Sequence, residues 1–291
     1  MTATFLPRRA VLSAGLVVLA APALAATERR LARPDGAIAY TVQGEGPAIV
    51  LIPSLGRGQE DFDGVAPLLL AAGFRLLRPE PRGIGGSAPI REGMTLHDLA
   101  ADIAAMIDAE KAAPVLVAGH AFGNWVARVL AYDHPAMVRG VAMLAAVLGT
   151  DIDPEIRRSI TASFDTDRTD EERLGHLRRA YFAPGNDASV WLAGWHKPVA
   201  EAQRRAQSAT TGKAWLRAGE RHPLLYLAAA QDAIAPPPDE ARMRGALGPQ
   251  THLAVVEQAG HALLPEQPQA TADALVAFAR SLPVQTSPGV R

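Results

Sequence analysis

The run Val115-Leu116-Val117-Ala118-Gly119-His120-Ala121-Phe122-Gly123-Asn124 has the pattern of a buried strand, a sharp turn and the start of a helix. Glycines two positions before and after the central residue let a strained turn lift that residue above a sheet, where a serine would present its Oγ as a nucleophile. The central residue is Ala121, so the turn is written into the chain and the oxygen is not. Two further residues carry acid–base potential. Asp232 closes the strand-like run Ala228-Ala229-Ala230-Gln231, where it reads either as a functional carboxylate or as a turn aspartate. His261 follows Gly260 at the end of another apolar run, Val255-Val256, at the carboxyl edge where open α/β sheets build their sites.

Short apolar runs alternating with segments of helical period must position these residues, and that alternation marks an α/β fold with a mainly parallel sheet. The pattern predicts strands at 38–42, one strand of an early hairpin, and at 48–52, 74–78, 115–118 and 141–147, then at 224–230 and 252–256. Helices are expected over about 61–72, from Thr95, over 122–132, 239–247 and 271–281. Thr95 with Asp98 three residues on is a near variant of the capping box. The helix it opens places Leu96, Leu99, Ile103, Met106 and Ile107 on one face. Between 149 and 221 the chain turns charged and helical, without a buried-strand run, and reads as an insertion that holds Trp191, Trp195 and Trp215. The tail from 283 reads as loose.

The chain has 291 residues, 48% of them hydrophobic and 20% charged, with a formal net charge of −1. That is enough chain for one large core carrying an insertion. Its basic residues are scattered, so the basic face that nucleic-acid binding needs is missing. The absence of cysteine excludes disulfides, thiolate zinc sites and a cysteine nucleophile. Dispersed histidines, with no H-E-x-x-H, give metal binding no support, and no cofactor is implied. At the N-terminus Arg8-Arg9 precede an apolar stretch from Ala10 to Ala21 and the small-x-small sequence Ala23-Leu24-Ala25. Residues 1–25 read as a signal peptide of twin-arginine type, and the mature protein as exported, periplasmic or secreted, with no stable membrane span. The apolar stretch falls short of the roughly 20 residues that cross a bilayer.

Four motifs in chain order resemble the α/β-hydrolase superfamily. They are Arg82-Gly83-Ile84-Gly85-Gly86-Ser87 with Glu80 in place of an aspartate, the elbow at Gly119–Gly123, the acid position at Asp232, and Gly260-His261 followed by Glu266 and Pro268. The resemblance implies a twisted, mainly parallel sheet flanked by helices, with residues 26–148 and 222–282 as the core and 149–221 as a helical cap. It also assigns roles. Asp232 would orient His261 as a general base, and the backbone N–H groups of Phe122 and Leu55 would form the oxyanion hole. Pro53-Ser54-Leu55-Gly56 departs from the family's usual His-Gly at that loop. His120 would support the elbow, and Ser54 and Ser87 would be ordinary loop serines. Trp191, Trp195 and Trp125 are candidates for an apolar ligand wall, with internal packing as the other role for the cap tryptophans.

With Ala121 at the elbow no acyl-enzyme can form. Three readings follow. The His261 and Asp232 dyad activates water, or takes a proton from carbon, on a small, largely apolar ester, lactone or related carbonyl compound. Alternatively the chain is a non-catalytic relative that binds a small molecule, or a serine esterase disabled by a deliberate serine-to-alanine change. Oligomeric state is open.

Overall fold

The computed structural model describes residues 25–149 and 152–283. The signal-peptide reading at 1–25 and the tail at 283–291 therefore lie, but for one residue each, outside the described residues. The architecture is the α/β-hydrolase fold: an eight-stranded, mostly parallel sheet with helices on both faces.

The strands are β1 (Thr27–Leu31), β2 (Ile38–Gln43), β3 (Ala48–Ile52), β4 (Arg75–Pro79), β5 (Val115–His120), β6 (Val138–Leu144), β7 (Leu224–Ala229) and β8 (Thr251–Val256). They lie in the order β1-β2-β4-β3-β5-β6-β7-β8. Only β2 runs against its neighbours β1 and β4; the remaining pairs are parallel. Strands β3, β5 and β7 are buried along their whole length, as a parallel sheet covered on both faces requires. Their side chains alternate between two cores: Val50 and Val117 face one side, Ile49, Leu51 and Leu116 the other.

The first three α-helices are α1 (Ala66–Ala71), α2 (Leu96–Ala109) and α3 (Gly123–Asp133). Both halves of the capping box at Thr95 and Asp98 are formed, and α2 buries Leu96, Leu99, Ile103, Met106 and Ile107. Between β6 and β7 the regular elements are helical: α4 (Pro154–Ser163), α5 (Asp170–Ala180) and α6 (Lys197–Ala209), with 3-10 turns before α6 (Ala188–Trp191) and after it (Ala214–Glu220). Then come α7 (Glu240–Leu247), α8 (Leu263–Glu266) and α9 (Pro268–Ser281). Among the described residues, no helix is long and apolar enough to cross a membrane.

Several expected boundaries move. The strand expected at 141–147 is β6 at Val138–Leu144, because Ala145 takes a positive φ of 48° and ends it. The helix expected over 61–72 splits into a 3-10 turn, Gln59–Phe62, and α1. Asp61 is committed there to other bonds, described below.

Candidate active site

The elbow is formed. β5 ends at His120, Ala121 sits at φ 45°, and α3 begins at Gly123. An L-residue in this left-handed region is strained by roughly 1–2 kcal/mol, the cost that lifts its side chain clear of the sheet. The flanking glycines are obligatory for space. A Cβ on Gly119 would lie 2.3 Å from the Gly123 carbonyl oxygen, and one on Gly123 would lie 2.3 Å from that of Ile52.

His261 and Asp232, distant in sequence, meet at 2.9 Å between Nδ1 and Oδ2, both buried. The other carboxylate oxygen of Asp232 accepts the N–H groups of Ile234 and Ala235, each at 2.8 Å. The carboxylate thus stays an acceptor on both oxygens, so His261 Nδ1 is the protonated nitrogen and Nε2 carries the lone pair. A cavity of about 280 Å³ brings His261, Ala121, Phe122 and Leu55 together with Ser54, Asn124 and Trp125. Neither Phe122 N–H nor Leu55 N–H donates to an acceptor among the described residues, so both remain available to a ligand oxygen.

Gly260 and Glu266 fasten the histidine loop to the insertion. Glu266 Oε2 accepts Gly260 N–H at 2.8 Å, while Oε1 accepts Ala183 N–H and Asn186 Nδ2, both at 2.7 Å. Burial raises the Glu266 carboxyl above its ordinary range, against the pull of these bonds. Ala262 N–H donates to the Tyr181 carbonyl at 2.9 Å, and a Cβ on Gly260 would strike that same carbonyl oxygen at 2.5 Å. The oxyanion loop is fastened in the same manner: Gly56 N–H donates to Gln203 Oε1 of α6 at 2.7 Å, and its carbonyl accepts His196 N–H at 2.8 Å.

Sequence reasoning missed a charged cluster directly behind the elbow. Arg57 and Asp61 form a buried ion pair, and Asp61 Oδ2 also accepts Ser54 N–H at 3.1 Å and faces His120 Nδ1 at 3.7 Å. Burial opposes the charge on Asp61, yet the Arg57 guanidinium and the neighbouring His120 hold its carboxyl below the usual range. His120 Nε2 lies 2.8 Å from the His261 carbonyl oxygen, to which it donates. The signal available was the i,i+4 spacing of Arg57 and Asp61, in a polar stretch that also holds Gln59, Glu60 and Asp63.

Trp191 and Trp195 do not line the cavity, the one correction to the expected ligand wall. They hold the Arg57 guanidinium between their rings, at 4.5 and 4.9 Å from the centroids, and pack on each other edge to face at 5.7 Å. A cation that has lost its water gains from two aromatic faces, which is why the pair is buried there. Trp215 packs in the core beneath Arg128. Trp125 does line the cavity, with Tyr181, Arg157, Arg204 and Gln207, none of which a sequence motif indicated. Ser87 is structural: its Oγ donates to the Glu80 carbonyl at 2.8 Å and accepts Ala39 N–H at 2.9 Å. Glu80 accepts Gln59 Nε2 at 2.8 Å, and burial raises its carboxyl.

Residues 49–274 match the family model described as the alpha/beta hydrolase family. The chain belongs to that family. Pyrrolizixenacetamide deacetylase from Xenorhabdus hominickii is 27% identical over 145 residues, 49% of this chain and 53% of that protein. The chain spans about half the length, or less, of the curated relatives it matches first. Among solved structures, the esterase RhEst1 from Rhodococcus sp. superposes with a TM-score of 0.72 at 20% identity, covering 89% of this chain and 99% of that one. A thermophilic esterase from Thermogutta terrifontis, solved with malate bound, gives 0.69 at 20% identity over 87% of this chain and 98% of that one. At such identities the likeness speaks for the fold. In this alpha/beta hydrolase the elbow position is alanine.

Proposed function

We propose that this alpha/beta hydrolase uses His261, oriented by Asp232, as a general base on a small, largely apolar ester, lactone or related carbonyl compound, with water in the part normally taken by serine. The observation that carries the reading is the buried His261 and Asp232 pair at 2.9 Å in the wall of a cavity that also receives the Ala121 methyl and two unengaged N–H groups. A water molecule beside the methyl group gives a proton to His261 Nε2 as its oxygen attacks the carbonyl carbon. The oxyanion then forms against the N–H groups of Phe122 and Leu55. As the tetrahedral intermediate collapses, the imidazolium returns the proton to the leaving oxygen, and acid and alcohol are released. The cavity, at about 280 Å³, has room for a small substrate and a water, whose share of liquid volume is about 30 Å³. The esterases and the deacetylase among its relatives act, by their names, on related carbonyl groups.

The test is turnover of short p-nitrophenyl esters by the native chain and by Ala121→Ser. Measurable rates within about tenfold of each other support the dyad, since the base and oxyanion donors would set both. A gain approaching the ~10⁶ that a triad serine supplies would mark a disabled serine esterase instead. Silence in both would leave a binding protein. We also propose that residues 1–25 direct export, with Arg8-Arg9 and Ala23-Leu24-Ala25 supporting a cleaved twin-arginine signal. Cell fractionation of the native chain and of Arg8→Lys with Arg9→Lys tests it: retention of the double variant in the cytoplasm is expected, and unchanged export would overturn it.

A further inference from the structure

The cavity is not uniformly apolar. Val147, Ile152, Ile160 and Ile234 form its body, but Arg157 of α4 and Arg204 of α6 also reach it. Three carboxylates nearby in the insertion are engaged with other cations, while Glu201 lines the outer groove without an ion pair among the described residues. Glu155 pairs with Arg158 at 3.3 Å, Asp165 with Lys197 at 2.9 Å and Arg168 at 3.5 Å, and Asp170 with Arg173 at 3.0 Å. Arg157 and Arg204 pair with no carboxylate among the described residues. Arg204 rests its guanidinium 5.1 Å from the centroid of Phe164, which orients it without neutralising it.

The same two arginines also line a second cavity, a groove of about 620 Å³ between α4, α5 and α6 on the outer face. They are therefore the partition between the groove and the His261 chamber. Six cationic side chains line this groove against three carboxylates, so its field draws anions toward the partition. On the inner side, Tyr181 packs against His261 with its ring tilted by 59° and the centroids 5.7 Å apart. Burial pushes the Tyr181 hydroxyl well above its ordinary range, and Arg204 and Arg57 pull the other way.

We infer that the ligand of this site is a small carboxylate with an apolar body, its carboxylate held by Arg157 and Arg204 and its apolar part lying on the isoleucines toward His261. The guanidinium forks match a carboxylate in two parallel hydrogen bonds, and Gln207 beside them adds a neutral donor. The inference deepens the catalytic reading, since the group attacked near Ala121 would belong to the end of the molecule away from the carboxylate.

Binding can be scored without turnover, so the two readings fail separately. Calorimetric titration of the full chain with hexanoate and with hexanamide compares the charge at nearly constant shape. Hexanoate is expected to bind at least about tenfold more tightly. Inorganic phosphate, which carries charge without an apolar body, is expected to bind at least about tenfold more weakly than hexanoate. Arg157→Gln with Arg204→Gln should bring hexanoate and hexanamide within about twofold by loss of hexanoate affinity, with a native circular-dichroism spectrum and thermal melt reporting that the variant is folded. Replacing both by lysine should restore part of the preference, the charge being kept and the fork lost. Equal binding of the two probes to the native chain, no saturable hexanoate binding, parity with phosphate, or a preference that survives the double glutamine change would each overturn the inference. A chain that binds hexanoate but hydrolyses no ester would end the catalytic reading and leave this one standing.

Discussion

The two sides of the Ala121 turn are built to different standards. Behind it, Asp61, Arg57 and His120 are fully buried, paired or stacked, and each is tied to an element of the site: the oxyanion loop through Ser54, the insertion through Trp191 and Trp195, the base loop through the His261 carbonyl. In front of it, a bare methyl group faces a cavity of about 280 Å³. The difference separates scaffold from reagent. The turn still bears the strain of a non-glycine residue at φ 45°, a strain that serves no side chain now but continues to aim the Phe122 N–H. Under the proposed mechanism, the geometry of the oxyanion hole and of the base would thus depend on the rear, and only the choice of nucleophile on the front.

If that division holds, the largest effect belongs to the front. His261→Ala should lower turnover by about 10²–10⁴, the contribution of a positioned general base, while leaving the melting temperature nearly unchanged. Steady-state rates with the ester series and a thermal melt decide it. Activity that survived the change would break both the comparison and the proposed mechanism.

The rear should answer in stability first. Asp61→Asn leaves Arg57 buried without a counter-charge between two tryptophans, and a cost of about 3–5 kcal/mol is expected in denaturant unfolding. A pH dependence follows from the same pair. The folded carboxyl lies below the unfolded value of 3.8, so its stabilisation is complete above that value and is lost as pH falls below it. Native protein should therefore lose stability more steeply than Asp61→Asn as pH falls below about 4. Matching acid limbs in the two proteins would mean that Asp61 is not held charged by its surroundings.

The front was legible in the sequence because each of its parts is local. Elbow, acid and histidine each end a strand with glycine or a turn nearby, and the strand order then brings Asp232 to His261. The rear was not, since it joins Arg57, His120 and Trp191 across three separate segments, and nothing in a tryptophan's spacing says whether it faces ligand or guanidinium. Arg157 and Arg204 escaped for a related reason: on a polar, charged helix, the arginine that borders a cavity looks like its neighbours. At the fold level β1 went unread because Thr-Glu-Arg-Arg-Leu is an exposed edge strand without alternation. It pairs antiparallel with β2, and of its side chains Leu31 packs against the core. The last helix begins at Pro268 rather than near 271, since proline at the first position suits a helix start that hydrophobic period cannot locate.

The smallest expected effect is also the one that tests whether the front is truly without a nucleophile. Ser54 lines the cavity with His261, and its backbone N–H is held by Asp61, so its loop is rigid. Its backbone, however, lies on the oxyanion loop rather than on a strained elbow such as that of Ala121 at φ 45°. Replacing it by alanine removes one hydroxyl and keeps the N–H of Leu55 that follows it. Turnover by Ser54→Ala should stay within about threefold of native, whereas a nucleophile would cost about 10⁶. A covalent adduct on Ser54, sought by mass spectrometry after a fluorophosphonate probe, gives the second reading. Labelling there, together with a collapse in rate, would move the reagent of this site from water to the oxyanion loop.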